Sequence, residues 1–353
     1  MKPRPADVLV VKFQALGDVL RTTSLLAPLR RRGCRIWWLT KPDARGLLEH
    51  SPHLEGLYAA DPGDSAAAAR MARRLAGRFD LVLSLEEHPA AARIAKSACR
   101  GELVGVTLEG GRLSYTPSSA PWYGMSLLAA DRAAADERKA ANRRSYAELW
   151  LGILGLKGGR ALPALRLLPR DRAAARRLRA RRELRGGGPP IAFNFGAGER
   201  WPAKRIGEEK AARLLVAAGR AFGRPLLVLS GKEDEEVRRS RRAVAAAARI
   251  DPSLRLLLTP RLPLRPFAAL IEGCAALVTT DSLALHVAAA LAVPAVALVG
   301  PTSAAELDFH GRGRALTPPD GCSCFYAARC ARRRPCLDDI AEASVVAALR
   351  RCL

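Results

Sequence analysis

Val8-Leu9-Val10-Val11-Lys12-Phe13-Gln14-Ala15-Leu16-Gly17-Asp18-Val19-Leu20 is the stretch on which the fold turns. Residues 8–13 are apolar apart from Lys12, the pattern of a strand buried on both faces. Residues 14–18 read as a short turn, and a helical pattern follows over about 19–31. Strand, short turn and helix make the opening half of a βαβ unit, and the same grammar recurs. Residues 35–39 and 81–85 read as strands, 111–125 as a long loop carrying Pro117, Pro121 and Gly124, and 131–154 as helix. After Gly186-Gly187-Gly188-Pro189-Pro190 a second series begins, with strands at 191–195, 225–229, 276–279 and 295–299 and helices at 207–222, 233–248 and 282–291. Strands alternating with helices imply parallel sheets, so the expected class is α/β, with two doubly wound Rossmann-like domains facing a cleft. The division falls within 156–188, giving domains at 1–165 and 166–353. A chain of 353 residues, 49% apolar, supplies two such cores.

Composition narrows the function without choosing it. The formal net charge is +24, and 49 of the 58 basic residues are Arg. Such a surface attracts phosphorylated partners, whether nucleic acid, phospholipid or phosphorylated glycolipid. The densest basic run, 176–185, carries no interleaved aromatics, which disfavours nucleic acid. No run of ~18 apolar residues spans a bilayer, and the first residues lack a signal-peptide pattern. The expected location is cytoplasmic, with peripheral contact at the inner membrane face through an anionic acceptor.

In parallel sheets ligands meet the C-terminal ends of the strands, and three strand-to-helix junctions carry polar or glycine-rich sequence. In Gln14-Ala15-Leu16-Gly17-Asp18, Gly17 permits a tight turn, and Asp18 is either a helix N-cap or a carboxylate that takes a proton from an attacking hydroxyl. In Asn194-Phe195-Gly196-Ala197-Gly198-Glu199-Arg200-Trp201-Pro202-Ala203-Lys204-Arg205, small residues allow backbone close to a diphosphate, and Lys204 or Arg205 can neutralise it. This matches neither the Walker pattern nor the three-glycine dinucleotide fingerprint, and strand one lacks that fingerprint as well, which disfavours a nicotinamide dehydrogenase. In Val278-Thr279-Thr280-Asp281-Ser282-Leu283-Ala284-Leu285-His286, Thr280 or Asp281 is either a helix cap or part of an anion site at a helix N-terminus, one turn before His286.

Residues 9–20, Gly196-Ala197-Gly198 through Lys204-Arg205, Thr280-Asp281-Ser282 with His286, and Val299-Gly300-Pro301-Thr302 together resemble glycosyltransferase family 9, the ADP-heptose:lipopolysaccharide heptosyltransferases, in the family's motif order. Ala141-Asn142-Arg143-Arg144-Ser145-Tyr146 is similar to a segment in part of that family. The resemblance implies a GT-B fold, an N-terminal acceptor domain, a C-terminal nucleotide-sugar domain, and metal-independent inversion at the anomeric carbon with an ADP-sugar as co-substrate and no cofactor. It implies Asp18 as general base, beside Gln14 and Gly17 on the acceptor-side loop, and Lys204 as diphosphate anchor. Gly196, Ala197, Gly198, Arg205, Thr280, Asp281, Ser282 and His286 would line the donor site, and Glu235 would contact the nucleoside. Leu283 stands where the family commonly has glycine, and Gly207 where proline often follows the Lys-Arg pair. The same fold with another nucleotide sugar, and a non-catalytic carbohydrate-binding relative, are the competing readings. Cys322, Cys324, Cys330 and Cys336 have a spacing that four thiolates could use to hold zinc, which makes them the one metal candidate.

Overall fold

The computed structural model describes residues 6–156, 162–181, 184, 186–196, 198, 201–327 and 329–353. It divides into two compact units, Met1–Arg166 and Leu167–Leu353. The first holds β1 (Asp7–Val11), β2 (Arg35–Thr40), β3 (Gly56–Ala59), β4 (Phe79–Ser84), β5 (Cys99–Glu109) and β6 (Arg112–Tyr115). The second holds β7 (Ile191–Phe193), β8 (Leu226–Val228), β9 (Leu256–Leu258), β10 (Ala276–Thr280), β11 (Ala295–Leu298) and β12 (Gly313–Leu316).

The sheet of the first unit runs β3-β2-β1-β4-β5-β6 and that of the second β12-β11-β10-β7-β8-β9. Counted from its own first strand, each unit therefore has the same doubly wound order, with the direction of winding across the sheet reversing between β1 and β4 and again between β7 and β10. All pairings are parallel except β5 with β6, which form an antiparallel hairpin. β1, β7 and β10 are buried at every position, because helices cover both faces of a central parallel strand. In doubly wound sheets the reversal point opens a crevice at the carboxyl ends of the strands. All three polar junctions noted in the sequence lie at these reversal points, after β1, β7 and β10.

Local chemistry redraws some expected boundaries. The first helix begins at Leu16 and stops at Thr22, since the Thr22 and Thr23 hydroxyls donate to the Asp18 and Leu20 carbonyls and tighten the chain into a 3₁₀ turn. The helix expected over 131–154 is two, Arg132–Ala141 and Tyr146–Ile153, and Ser145 opens the second with a full capping box to Glu148. The region expected as loop at 111–125 contains β6 and the short helix Ala120–Tyr123. No helix among the described residues is long and apolar enough to cross a membrane.

Candidate functional site

At the reversal point of the first unit, β1 passes into the Leu16–Thr22 helix through a turn with a cis peptide between Gln14 and Ala15. Glu86, just beyond β4 and buried, holds this turn. Its Oε2 accepts the Phe13 N–H at 2.9 Å and the Gln14 N–H at 3.1 Å, and the Lys12 ammonium lies 3.4 Å away. The N-cap position is Ala15, with no side-chain cap, and Asp18 is the third residue of the helix. The N-cap reading of Asp18 is thus corrected. Gly17 is likewise inside the helix, so it is not the residue that makes the turn. The Asp18 carboxylate, 35% exposed, meets Arg21 Nη2 at 2.9 Å, and the positive end of the helix favours its ionised form.

At the reversal point of the second unit, residues 194–207 form a long connection between β7 and the helix Glu208–Phe222. Asn194, on leaving the strand, sends its amide to Thr279 Oγ1, Ser282 Oγ and the Gly196 carbonyl, at 3.1–3.2 Å. Thr279 and Ser282 are themselves 3.0 Å apart. These bonds tie the β7 loop to the start of the Leu283–Ala290 helix, where Ser282 occupies the N-cap position; neither Thr280 nor Asp281 is the cap. Lys204 reaches across to Asp281, Nζ to Oδ2 2.6 Å, with both side chains about one-sixth exposed (15% and 16%). Thr302 donates to the same Oδ2 at 3.0 Å, and His286 Nε2 lies 3.9 Å from Oδ1. Lys204, His286 and Thr302 therefore converge on the Asp281 carboxylate, while the Ser282 hydroxyl faces Asn194 and Thr279. Thr280 has no exposed surface, and its hydroxyl has no hydrogen-bond partner among the described residues.

The glycine loop is shaped by a carboxylate that sequence reading missed. Glu236, buried, accepts the Gly198 N–H at 2.9 Å and packs where a Cβ at either Gly196 or Gly231 would stand. Gly198 has φ +70°, the left-handed region that favours glycine. Arg205 clasps the Gly198 carbonyl through Nη2 at 2.7 Å and Nε at 3.2 Å. A small groove with room for about one water molecule is lined here by Phe195, Gly196, Arg205, Glu236 and Arg239. Glu235 does not reach it. It lies half-exposed on the outer face of the Asp234–Ile250 helix, paired with Arg238 and Arg242. Glu236, one residue and about 100° further round the helix, is the carboxylate that faces the glycine loop. The signal was present in the stripe Glu236, Ser240, Ala243 and Ala247, the helix's buried positions. Ala197 lies outside the described residues.

Around this site the cysteine segment takes a supporting place. Tyr326, between the second and third cysteines, has a left-handed backbone (φ +55°), and its N–H donates to the Pro301 carbonyl. Its phenol donates to Glu306 Oε1 at 3.1 Å and accepts the Ser303 N–H at 3.3 Å. Burial, with Glu306 beside it, raises the phenol's pKa and keeps that donor proton in place. The Tyr326 ring meets Trp201 edge to face at 6.2 Å, and the Lys204 ammonium lies over Trp201 at 5.2 Å. The thiols meet in two pairs, Cys322 with Cys336 at 3.2 Å and Cys324 with Cys330 at 3.6 Å. Burial and the Cys322 thiol push the Cys336 thiol up to about 12, whereas the Ala331 N–H holds the Cys324 thiol below its ordinary value. Among the described residues no group of three or more His, Cys, Asp or Glu is arranged to hold a metal.

Two doubly wound sheets, a carboxylate at one reversal point and a lysine–carboxylate cluster at the other fit the pattern expected of a sugar transferase. The model of glycosyltransferase family 9 (heptosyltransferase) matches residues 68–324. The chain belongs to that family. It is a glycosyltransferase of the heptosyltransferase family, with the two-unit fold of GT-B enzymes. Among solved structures it is similar to the family 9 glycosyltransferase from Veillonella parvula, with 20% identity, 100% of this chain and 98% of that one covered, and a TM-score of 0.73. The ADP-heptose lipopolysaccharide heptosyltransferase II of E. coli shares 20% identity over 98% of both chains, with a TM-score of 0.66. The E. coli heptosyltransferase WaaC, solved with ADP-2-deoxy-2-fluoro heptose, shares 17% over 98% of this chain and 100% of its own, with a TM-score of 0.61. No curated protein matches the chain.

Proposed function

We propose that this family 9 enzyme moves a heptose, or a closely similar sugar, from an ADP-sugar to an anionic envelope glycolipid, inverting the anomeric centre without a metal ion. In this reading the Leu167–Leu353 unit holds the donor and the Met1–Arg166 unit supplies the base. The observation that carries it is the Lys204–Asp281–Thr302 cluster at the β7/β10 reversal point, beside a helix N-terminus. An ammonium has three N–H donors, so Lys204 can be aimed by Asp281 while another N–H meets a diphosphate oxygen. As the glycosidic C–O bond breaks, negative charge grows on that diphosphate, and Lys204 with the helix dipole stabilises it. The carboxylate of Glu236, at the groove by Gly196 and Gly198, is suited to accept hydrogen bonds from nucleoside hydroxyls.

Asp18 would take the proton of the acceptor hydroxyl as its oxygen attacks the anomeric carbon from the face opposite the leaving diphosphate. The net charge of +24 favours an acceptor that carries phosphate or carboxylate groups. The test is calorimetric titration with ADP-, UDP- and GDP-sugars, followed by NMR of the product linkage and an assay in excess chelator. ADP-heptose should bind at least ~10-fold tighter than the uridine and guanosine sugars, a difference of about 1.4 kcal/mol. Transfer should give an inverted anomer at an unchanged rate in chelator. Tighter binding of a UDP-sugar would move the reading to another donor, and retention of configuration would remove Asp18 from the role of base.

A further inference from the structure

We propose that Arg21 is a positioning residue for the transfer step, holding the Asp18 carboxylate in the orientation from which it takes the acceptor's proton. The proposal rests on the reading of Asp18 as the base, and the resemblance assigned Arg21 no role. Arg21 follows Asp18 by one helical turn, and its Nη2 is 2.9 Å from Asp18 Oδ1. An (i, i+3) pair on a helix surface is ordinarily a weak and mobile contact. Here it is held. The Arg21 side chain is 17% exposed, and its guanidinium lies 4.3 Å from the Tyr146 ring centre and 5.4 Å from that of Trp122. Cation–π contact with two rings, themselves edge to face at 4.9 Å and 90°, restricts the planar guanidinium.

Tyr146 is fixed in turn. It opens the Tyr146–Ile153 helix behind the Ser145–Glu148 capping box, and its ring is buried. Its hydroxyl is 2.7 Å from Thr22 Oγ1, whose proton goes to the Asp18 carbonyl at 2.6 Å. Tyr146 therefore donates to Thr22. The result is a closed circuit through Asp18, Thr22, Tyr146 and Arg21 that grips both the backbone and the carboxylate of Asp18. A helix dipole favours a charged carboxylate but does not aim it, whereas a proton acceptor in the transition state must lie within hydrogen-bond reach of the attacking hydroxyl. Arg21 supplies that aim.

The test is a double-mutant cycle with ADP-heptose as donor and a heptose-free lipopolysaccharide-core glycolipid as acceptor. Asp18→Asn, Arg21→Met, the double variant and Arg21→Lys are compared with the parent for kcat, for KM toward each substrate, and for ADP affinity by calorimetry. Arg21→Met should lower kcat by ~10-fold or more, the scale of a misaligned catalytic group, with ADP affinity unchanged and acceptor KM within about threefold of the parent. Arg21→Lys keeps a cation that can sit over the rings and pair with Asp18, and should recover part of that loss. The double variant should be no slower than Asp18→Asn alone, because a residue acting only through Asp18 has nothing left to position. Arg21→Met at the parental kcat, or a double variant slower than Asp18→Asn by the full single-variant factor, would overturn the proposal. Asp18→Asn at the parental kcat would instead overturn the reading of Asp18 as base, and the two failures are distinguishable. Should Arg21→Met not melt cooperatively, Arg21→Gln carries the same comparison with a shorter polar side chain.

Discussion

At the reversal point of the first sheet, β1 turns into its helix through residues 12–15, and one buried carboxylate, Glu86, accepts the N–H groups of the turn. At that of the second sheet, β7 and its helix are separated by residues 194–207, and the side chains of this long loop reach across to the end of β10. Strand order is the same in both. What differs is the length of one connection, and with it the chemistry. A short connection leaves a helix N-terminus close to the strand and presents a single carboxylate from the first turn, an arrangement suited to taking a proton. A long connection carries Asn194 and Lys204 to the residues that follow β10, where a lysine and hydroxyls meet, an arrangement suited to an anion. Under the proposed function, one topology would serve two tasks through the loops that leave its reversal points.

The largest expected effect tests the first half of this contrast. Asp18→Asn should lower turnover ~100-fold or more while donor affinity stays near the parental value. Since Asp18 is not the N-cap and its carboxylate is partly exposed, the change weakens its pairing with Arg21 without removing a cap. The melting transition should therefore move by well under ~1 kcal/mol. A variant that melts like the parent and transfers sugar at the parental rate would leave the short connection with no proton-handling task.

Lys204→Ala tests the second half. Donor binding should weaken by ~1.5–3 kcal/mol in calorimetry, the scale of a charge-assisted hydrogen bond, with kcat falling as well if Lys204 also supports the leaving diphosphate. The substitution also strips Asp281 of its ammonium partner, so the double variant with Asp281→Asn is the informative control. It removes the orphaned charge but does not restore the anion site. Full recovery of affinity in the double variant would mean that Lys204 serves only to neutralise Asp281.

The two regions also differ in how much of them was legible beforehand. β1, β7 and β10 are central strands whose burial on both faces demands unbroken apolar runs, so they stand out in the sequence. β5 and β12 do not, because Arg100, Gly101 and Glu102 in one and Gly313 and Arg314 in the other break the apolar pattern. Lys204, Asp281, Ser282 and His286 stood out because they lie in or just after the polar junctions that follow β7 and β10. Glu86 was not. Its partners, Phe13 and Gln14, lie more than 70 residues away, and nothing local marks a carboxylate that caps someone else's turn. Tyr326 escaped for the same reason, since its contacts to Ser303, Glu306 and Trp201 exist only once the chain has folded. Gly17 was readable as special but for the wrong purpose, as a turn residue when it is helical.

The smallest expected effect separates two adjacent carboxylates, Glu235 and Glu236, and so sharpens what the long connection recognises. Both begin the same helix, and both are acidic residues in its first turn. Their surroundings are opposite. Glu235 is paired on the outer face with Arg238 and Arg242, contacts that solvent and salt screen. Glu236 is 8% exposed, bonded to the Gly198 N–H, and lines the groove beside Gly196. Glutamine keeps the shape of either residue and can still accept the Gly198 N–H, but it replaces the second carboxylate oxygen by a donor. Glu236→Gln should therefore weaken ADP binding by about 1 kcal/mol, roughly fivefold, through the loss of an acceptor for nucleoside hydroxyls. Glu235→Gln should leave both ADP affinity and the melting temperature within error of the parent. The two variants measured side by side in calorimetry decide the matter. Equal losses would point to a general effect of negative charge near this helix end, whereas a loss confined to Glu236 ties recognition to the one carboxylate that the glycines at 196 and 231 admit.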